Sequence, residues 1–367
     1  MSATPPVGPI SSDVPEVSVS SPSRRGALLA LGLSAVLALA ACSSSGTTTS
    51  IPPDATGAIA SPATSGPSAS VAASPEASPS SAAAFPVTLT DDEGTAVEIP
   101  AEPQKIVSLT PATTEILFGI GAGDRVVATD DGSDFPTEAA PLPDVATFDS
   151  VDVEKIVALG ADLVVAGGLG FSPAESIAQL RELKVPVLVV YAPSVDGVYH
   201  DIELLGTATG EATAATELTD TMQAEISGIN AAVTSAGQPP RTYYEVGYTD
   251  ATGQIFAPAD QSFVAEMVTL AGADPITTGD PASYEIPLEK LIAADPQLII
   301  LGTNPFYMPT PADVKARAGW DVMTAVKNDD IRPVQDTEIT RPGPRLPIGL
   351  RNLAAAIWPD VSLPAAP

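Results

Sequence analysis

Two arginines bracket a rigid turn near the end of the chain, Arg341-Pro-Gly-Pro-Arg345, in a protein with only 16 lysines and arginines. A guanidinium presents five donors in a planar fork that matches carboxylate or phosphate oxygens two at a time. Just past a strand, the pair could grip an anionic ligand, or it could pair with some of the 45 acidic residues. Other chemistry is thinly provided. The one histidine, His200, leaves too few imidazoles for the usual zinc sites, and it reads as a capping or packing residue at a helix start. The one cysteine, Cys42, has no partner for an intramolecular disulfide. There is no GxSxG nucleophile elbow and no carboxylate cluster at metal spacing, so neither a catalytic residue nor a metal ligand is assigned, and a binding protein is favoured over an enzyme. The run Gly167-Gly168-Leu169-Gly170 lacks the lysine of a phosphate loop; its small side chains are expected to leave room for a bulky ligand. A net charge of −29 argues against a nucleic-acid partner, because phosphate binding needs clustered lysine and arginine.

Two carboxylates stand out by repetition. Residues 154–165 read EKIVALGADLVV and residues 289–300 read EKLIAADPQLII, so a Glu-Lys helix start runs into an apolar strand twice. A second pair, TEILFGIGAGD at 114–124 and AEMVTLAGAD at 265–274, precedes it in the same order in each half. Ordered repetition implies two lobes of similar build. Asp152 or Ser150 can cap the first Glu-Lys helix and Pro287 can begin the second, which puts Glu154 and Glu289 in first turns. A carboxylate there gains about 0.3 to 1 kcal/mol from the helix dipole with no partner at all. Their equivalence in two lobes is what makes them candidate contact points.

The elements that position these residues follow from apolar runs. Residues 105–109, 125–129, 163–166 and 185–191 in the first half, and 241–246, 298–301 and 331–335 in the second, are near-continuously apolar and separated by helix-length segments. That pattern means parallel sheets covered on both faces, an α/β class. A hairpin is expected over 86–100, a helix capped by Thr110 with Pro111 in its first turn, and a closing helix over 350–357. Residues 195–236 form a long alanine-rich stretch without strand character that Gly206 and Gly210 break near its start. Ligands of such sheets gather beyond the carboxyl ends of the strands. This nominates Thr110, Pro111, Asp131, Phe148, Gly168 and Tyr191 in the first lobe. In the second it nominates Tyr248, Tyr284, Arg341 and Arg345, with Asn304, Phe306 and Tyr307 beside them. Phe148 and Tyr284 could instead pack on their own lobes.

Residues 24–42, RRGALLALGLSAVLALAAC, read as a secretory signal behind a long polar n-region, with both the general and the twin-arginine routes open. From 43 to 84 the chain is Ser, Ala, Pro, Thr and Gly, too poor in large apolar groups to offset ordering entropy, and reads as a disordered tether. The division is therefore 1–42 signal, 43–84 tether, 85–194 first lobe, 195–238 linking helix and 239–367 second lobe.

Taken in order from about 85 to 359, IVSLTPATTEILFGIGAGDRVVATDDGSDFP, VDVEKIVALGADLVVA and RPGPR resemble the iron-siderophore, haem and cobalamin class of periplasmic substrate-binding proteins that serve ABC importers. Leu39-Ala40-Ala41-Cys42 resembles the lipobox of bacterial lipoproteins, whose cysteine carries a diacylglycerol. The resemblance implies a class III fold: two Rossmann-like lobes with mostly parallel sheets, joined by one long α-helix, with a ligand cleft between them and little closure. It implies that Glu154 and Glu289, at the lobe tips, engage arginines of a permease dimer that works with its ATPase. The cargo would be cobalamin, haem or a ferric chelate rather than an intrinsic cofactor. The protein would be a monomer, lipid-anchored through Cys42 on the outer face of the cytoplasmic membrane. Two other readings share these features: an envelope sensor or adhesin that has kept the fold, and a chelatase-like tetrapyrrole enzyme.

Overall fold

A computed structural model describes residues 85–168 and 170–365. Cys42, the signal segment and the tether lie outside the described residues. The chain opens on the antiparallel hairpin β1 (Val87–Thr90) and β2 (Ala96–Ile99). The first lobe follows as β3 (Ile106–Ser108), α1 (Pro111–Gly119), β4 (Val126–Asp130), β5 (Asp144–Thr147), β6 (Ser150–Val151), α2 (Val153–Leu159), β7 (Leu163–Gly167), α3 (Ala174–Glu182) and β8 (Val187–Val190). Helices α4 (Val195–Thr209) and α5 (Ala212–Thr234) lead on to the second lobe. That lobe comprises β9 (Arg241–Glu245), β10 (Gly247–Thr249), β11 (Gln254–Phe256), α6 (Phe263–Leu270), β12 (Asp274–Pro275) and α7 (Leu288–Ala294). It continues through β13 (Leu298–Thr303), α8 (Pro311–Ala316), α9 (Thr324–Asn328), β14 (Ile331–Gln335), α10 (Thr337–Thr340) and α11 (Leu346–Ile357).

The repeat in sequence is a repeat in topology. The first sheet runs β6-β5-β4-β3-β7-β8, parallel except for the β5–β6 edge, and the second runs β12-β9-β13-β14, all parallel. Dropping the β6-β5 edge leaves β4-β3-β7-β8 against β12-β9-β13-β14, the same order of equivalent strands. Helix α1 joins β3 to β4 as α6 joins β9 to β12, and α2 precedes β7 as α7 precedes β13. Strands β3, β7 and β8 are buried at every position, as continuous apolar runs in a covered parallel sheet must be. The two-residue strands β6 and β12 and the small hairpin β10–β11 carry too little periodicity to be read from sequence.

The connection between the lobes differs from the single helix expected over 195–238. It is a helical hairpin, turned at Gly210, which caps α4 in the left-handed region at φ +83°. Gly206 lets the helices meet: a Cβ there would lie 2.3 Å from Cβ of Ala215. Each arm spans from one lobe to the other. The Val195 N–H at the start of α4 donates to Glu266 of α6 at 2.9 Å, while its last carbonyl, Thr209, accepts from Arg125 of the first lobe at 2.8 Å. Glu211, opening α5, pairs with the same Arg125 at 2.7 Å, and Asn230 near its end donates to Leu270 of the second lobe at 2.8 Å. One buried cluster therefore runs unbroken from Ile106, Leu117 and Leu188 through Ile202, Met222 and Ile229 to Met267, Ile300 and Leu350.

Candidate functional site

The lobes face each other across the carboxyl ends of their strands. The segment after β4 (132–135) meets α10, α11 and the turn between them, and a cleft of about 440 Å³ opens there, lined by Asp134, Phe135, Asn304, Phe306, Arg341 and Arg345 among others. At the other end of the facing sheets, Tyr191 after β8 lies near Tyr284 of the second lobe. Burial raises the Tyr191 phenol pKa above its ordinary value, and Tyr284 adds to the effect. Phe171 stacks on Tyr191 with ring centroids 6.4 Å apart. Phe306, Phe171 and Tyr284 are all exposed, Phe306 at 98 %, and Phe135 and Phe306 bring an aromatic ring from each lobe to the cleft lining.

The two arginines stand in this cleft, and their forks are already occupied. Arg345 donates through Nε and Nη2 to Oε2 and Oε1 of Glu115 at 2.9 and 2.6 Å, and through Nη1 to Glu338 at 2.8 Å. Phe135 lies under its guanidinium, 4.2 Å from ring centroid to Cζ. Arg341 donates through Nη1 to Asp134 at 2.7 Å and to Glu115 at 3.3 Å, and through Nη2 to the Gly132 carbonyl at 3.4 Å. Glu115 sits on α1 of the first lobe and is buried, so this is a charge-assisted latch between lobes. The hydrogen bond to Glu115 and its charge raise the Arg345 pKa. At Asp134 burial pushes the carboxyl up, but the Arg341 hydrogen bond and charge outweigh it and hold the pKa below the usual value. Glu115 was not among the sequence candidates, since in TTEILF it reads as an ordinary helix carboxylate.

The remaining candidates scatter. Thr110 caps α1 and Pro111 opens it, as their order in sequence predicts, but their side chains are spent on that turn and on packing against Gly167 and Gly132. The glycines at 167 and 168 leave no void for a ligand. Cβ atoms there would fall 2.7 Å from the Thr110 methyl and 3.1 Å from Cβ of Tyr191, so these glycines admit neighbouring side chains instead. Asp131 is exposed and does not line the cleft; its neighbour Asp130 is buried and accepts from the Ser133 hydroxyl at 2.5 Å, and Asp134 is the one that reaches the cleft. Phe148 is exposed in the turn between β5 and β6. Tyr248 packs within its own lobe: the Arg317 guanidinium lies 3.7 Å over its ring and Trp320 meets it edge-on.

Behind that stack is an ionic network that sequence reading missed. Glu245, at the end of β9, is fully buried and takes both Arg317 nitrogens, Nη1 at 2.5 Å and Nη2 at 3.0 Å. Its Oε1 also accepts from the Tyr307 hydroxyl at 2.7 Å. Asn304 Oδ1 accepts the backbone N–H groups of Phe306 and Tyr307, both at 3.0 Å. The loop is thus tied down on either side of Phe306, which explains how so apolar a ring is held out in solvent at the cleft.

Glu154 and Glu289 occupy matching places. Asp152 caps α2 by accepting from the Lys155 N–H at 2.9 Å, and Pro287 precedes α7, which sets each glutamate in its helix's first turn. Both are exposed, and among the described residues neither forms an ion pair. The lysine beside each has a different task. Lys155 Nζ donates to the Asp144 carbonyl at 2.8 Å, and Lys290 Nζ donates to that of Thr278. Asp144 opens β5 and Thr278 lies in the loop after β12, so in both lobes the lysine fastens the helix start to backbone that follows the matching strand and the glutamate stays free.

Two facing lobes of duplicated topology, joined by helices and with a cleft at their strand ends, can hold a solute between them. The periplasmic binding protein family model matches residues 106–336. The chain belongs to the periplasmic binding protein family. Its fold is that of the class III members, two αβ lobes joined by helix, and the family and its relatives are binding proteins. The chain is 32 % identical over 285 residues to an uncharacterized ABC transporter substrate-binding lipoprotein, YvrC of Bacillus subtilis, covering 75 % of this chain and 87 % of that one. It is 26 % identical to a vitamin B12-binding protein of Pectobacterium carotovorum, over 70 % of this chain and 89 % of the relative. Among solved structures it superposes with a TM-score of 0.62 and 25 % identity on a Staphylococcus epidermidis protein described as a possible iron-binding periplasmic solute-binding protein, across 70 % of this chain and 100 % of that one.

Proposed function

We propose that this solute-binding protein captures a bulky cobalamin-like, haem-like or ferric-chelate ligand in the inter-lobe cleft. It then delivers the ligand to an ABC importer while lipid-anchored outside the cytoplasmic membrane through Cys42. The observation that carries the delivery step is the pair of free glutamates, Glu154 and Glu289. Each is held at the same place in its lobe by a lysine anchored to backbone. A carboxylate that satisfied only its own helix dipole would need no such duplication. Two equivalent charges fit a permease built from two similar subunits, and charge pairs of this kind fix register more than they add affinity. The relatives' names support the cobalamin and iron classes of ligand and the lipoprotein reading. The segment 43–84 acts as the tether, and the lobes as one monomeric unit.

The double variant Glu154→Ala, Glu289→Ala should abolish ligand uptake in cells while the purified protein binds ligand unchanged. Normal uptake by the double variant would remove the docking role. The cargo is identified by the absorption spectrum of protein purified from its own cells: a Soret band marks haem, a corrinoid spectrum cobalamin, and a charge-transfer band a ferric chelate.

A further inference from the structure

The arginines that a sequence reader would assign to an anionic ligand are unavailable to one. In Arg345, Nε, Nη1 and Nη2 all donate to carboxylates, and Phe135 covers a face of the fork. Arg341 is shared between Asp134, Glu115 and a backbone carbonyl. An incoming carboxylate would have to displace Glu115, whose side chain is 2 % exposed, and would leave that charge buried without a partner. The balance around the cleft is acidic even with the latch closed. Asp134, Asp336 and Glu338 line the cleft and the buried Glu115 stands behind it, four carboxyls beside the two guanidinium groups of Arg341 and Arg345. The other polar groups at the lining are neutral, Asn304, Gln335, Thr337 and Thr340, and suit amides and hydroxyls as donors and acceptors.

We infer that Glu115 is the specificity-determining residue of the cleft: by holding both arginines it selects ligands without net negative charge, bulky apolar chelates whose rims carry amides or hydroxyls, over ligands bearing carboxylates. The inference rests on the capture reading above and narrows it. It assigns discrimination to repulsion and to the lost partner of a buried charge, rather than to a new attraction.

The test is calorimetric titration of the purified protein with cyanocobalamin, a neutral corrinoid with an amide rim; ferrioxamine B, a cationic hydroxamate chelate; and hemin, which carries two propionates. The wild type should bind cyanocobalamin or ferrioxamine B at least about tenfold more tightly than hemin. Glu115→Gln removes the one charge that both guanidinium groups share and should shift that ratio toward hemin by about tenfold. Because Glu115 is buried, Asp134→Asn serves beside it. Its side chain is 69 % exposed and the change removes one of the two carboxylates on Arg341 without touching Arg345's pairs, so it should shift the ratio the same way by less. Hemin bound as tightly as cyanocobalamin and ferrioxamine B by the wild type, or an unchanged ratio in a variant whose circular dichroism is native, would overturn the inference and leave capture intact. Binding of none of the three would overturn the capture reading itself, and this inference with it.

Discussion

Replacing Asp201 by asparagine should flatten the stability of this protein between pH 6 and 8, where the wild type should weaken steadily. Asp201 lies on α4 at 4 % exposure, inside the helical hairpin that joins the lobes. Burial pushes its pKa up to about 9, and the neighbouring Asp92, with which it shares a hydrogen bond, adds to the shift. Its Oδ1 has no partner. Asp92 in turn accepts from the Tyr191 N–H at 2.5 Å and has the imidazole of His200 3.9 Å away. The folded protein therefore keeps a proton on Asp201 that the unfolded chain releases above the ordinary carboxyl pKa. A raised carboxyl contributes most stability below its unfolded pKa and loses it as pH rises toward the folded one, here from about 4 to about 9. One proton bound only by the folded state gives a slope of about 1.4 kcal/mol per pH unit, hence about 2.7 kcal/mol from pH 6 to 8. With a urea slope near 3 kcal/mol per molar, the unfolding midpoint should fall by about 0.9 M across that range. Few other groups titrate there, because the chain has one histidine. Asparagine is isosteric and can donate to Asp92 without a proton to lose. Urea unfolding at pH 6, 7 and 8 should show a sloping wild type and a flat Asp201→Asn variant that is the more stable of the two at pH 8. A wild-type midpoint that does not move, or a variant with the same slope, would refute the reasoning.

Glu245→Gln should be the most damaging single change in the second lobe. It leaves the Arg317 guanidinium, 6 % exposed, without its charge partner, a loss of about 3 to 5 kcal/mol, or roughly 6 to 20 °C in melting temperature by calorimetry. Gly206→Ala should destabilise although alanine is the better helix former, because its Cβ would sit 2.3 Å from that of Ala215 and force the arms of the hairpin apart at about 1 to 3 kcal/mol. Adding Ala215→Gly should restore the melting temperature, and failure of that rescue would place the strain elsewhere.

What the sequence made legible was local. Apolar runs marked β3, β4, β7, β8, β9, β13 and β14, and the order Thr110-Pro111 marked the start of α1, because burial on both faces and helix capping leave their signatures within a few neighbouring residues. Duplication was legible because each copy retains its Glu-Lys step. The site was less so. Arg341 and Arg345 stood out by type and spacing, but their partner Glu115 lies 226 and 230 residues away, and nothing near it in sequence distinguishes it from a surface charge. Tyr248 was nominated for standing at a strand end, whereas the hairpin β10–β11 carries it into its own lobe against Trp320. Gly168 looked like empty space because sequence does not show which side chains will fill it.

The unbroken core through the helical hairpin sets how this molecule can be taken apart. Here Ile202, Met222 and Ile229 belong to one buried cluster that takes in side chains of both lobes. A gene cut at residue 194 would give two fragments that each expose half of a shared interior. Unfolding should accordingly register as one transition, with fragments recovering structure only when mixed.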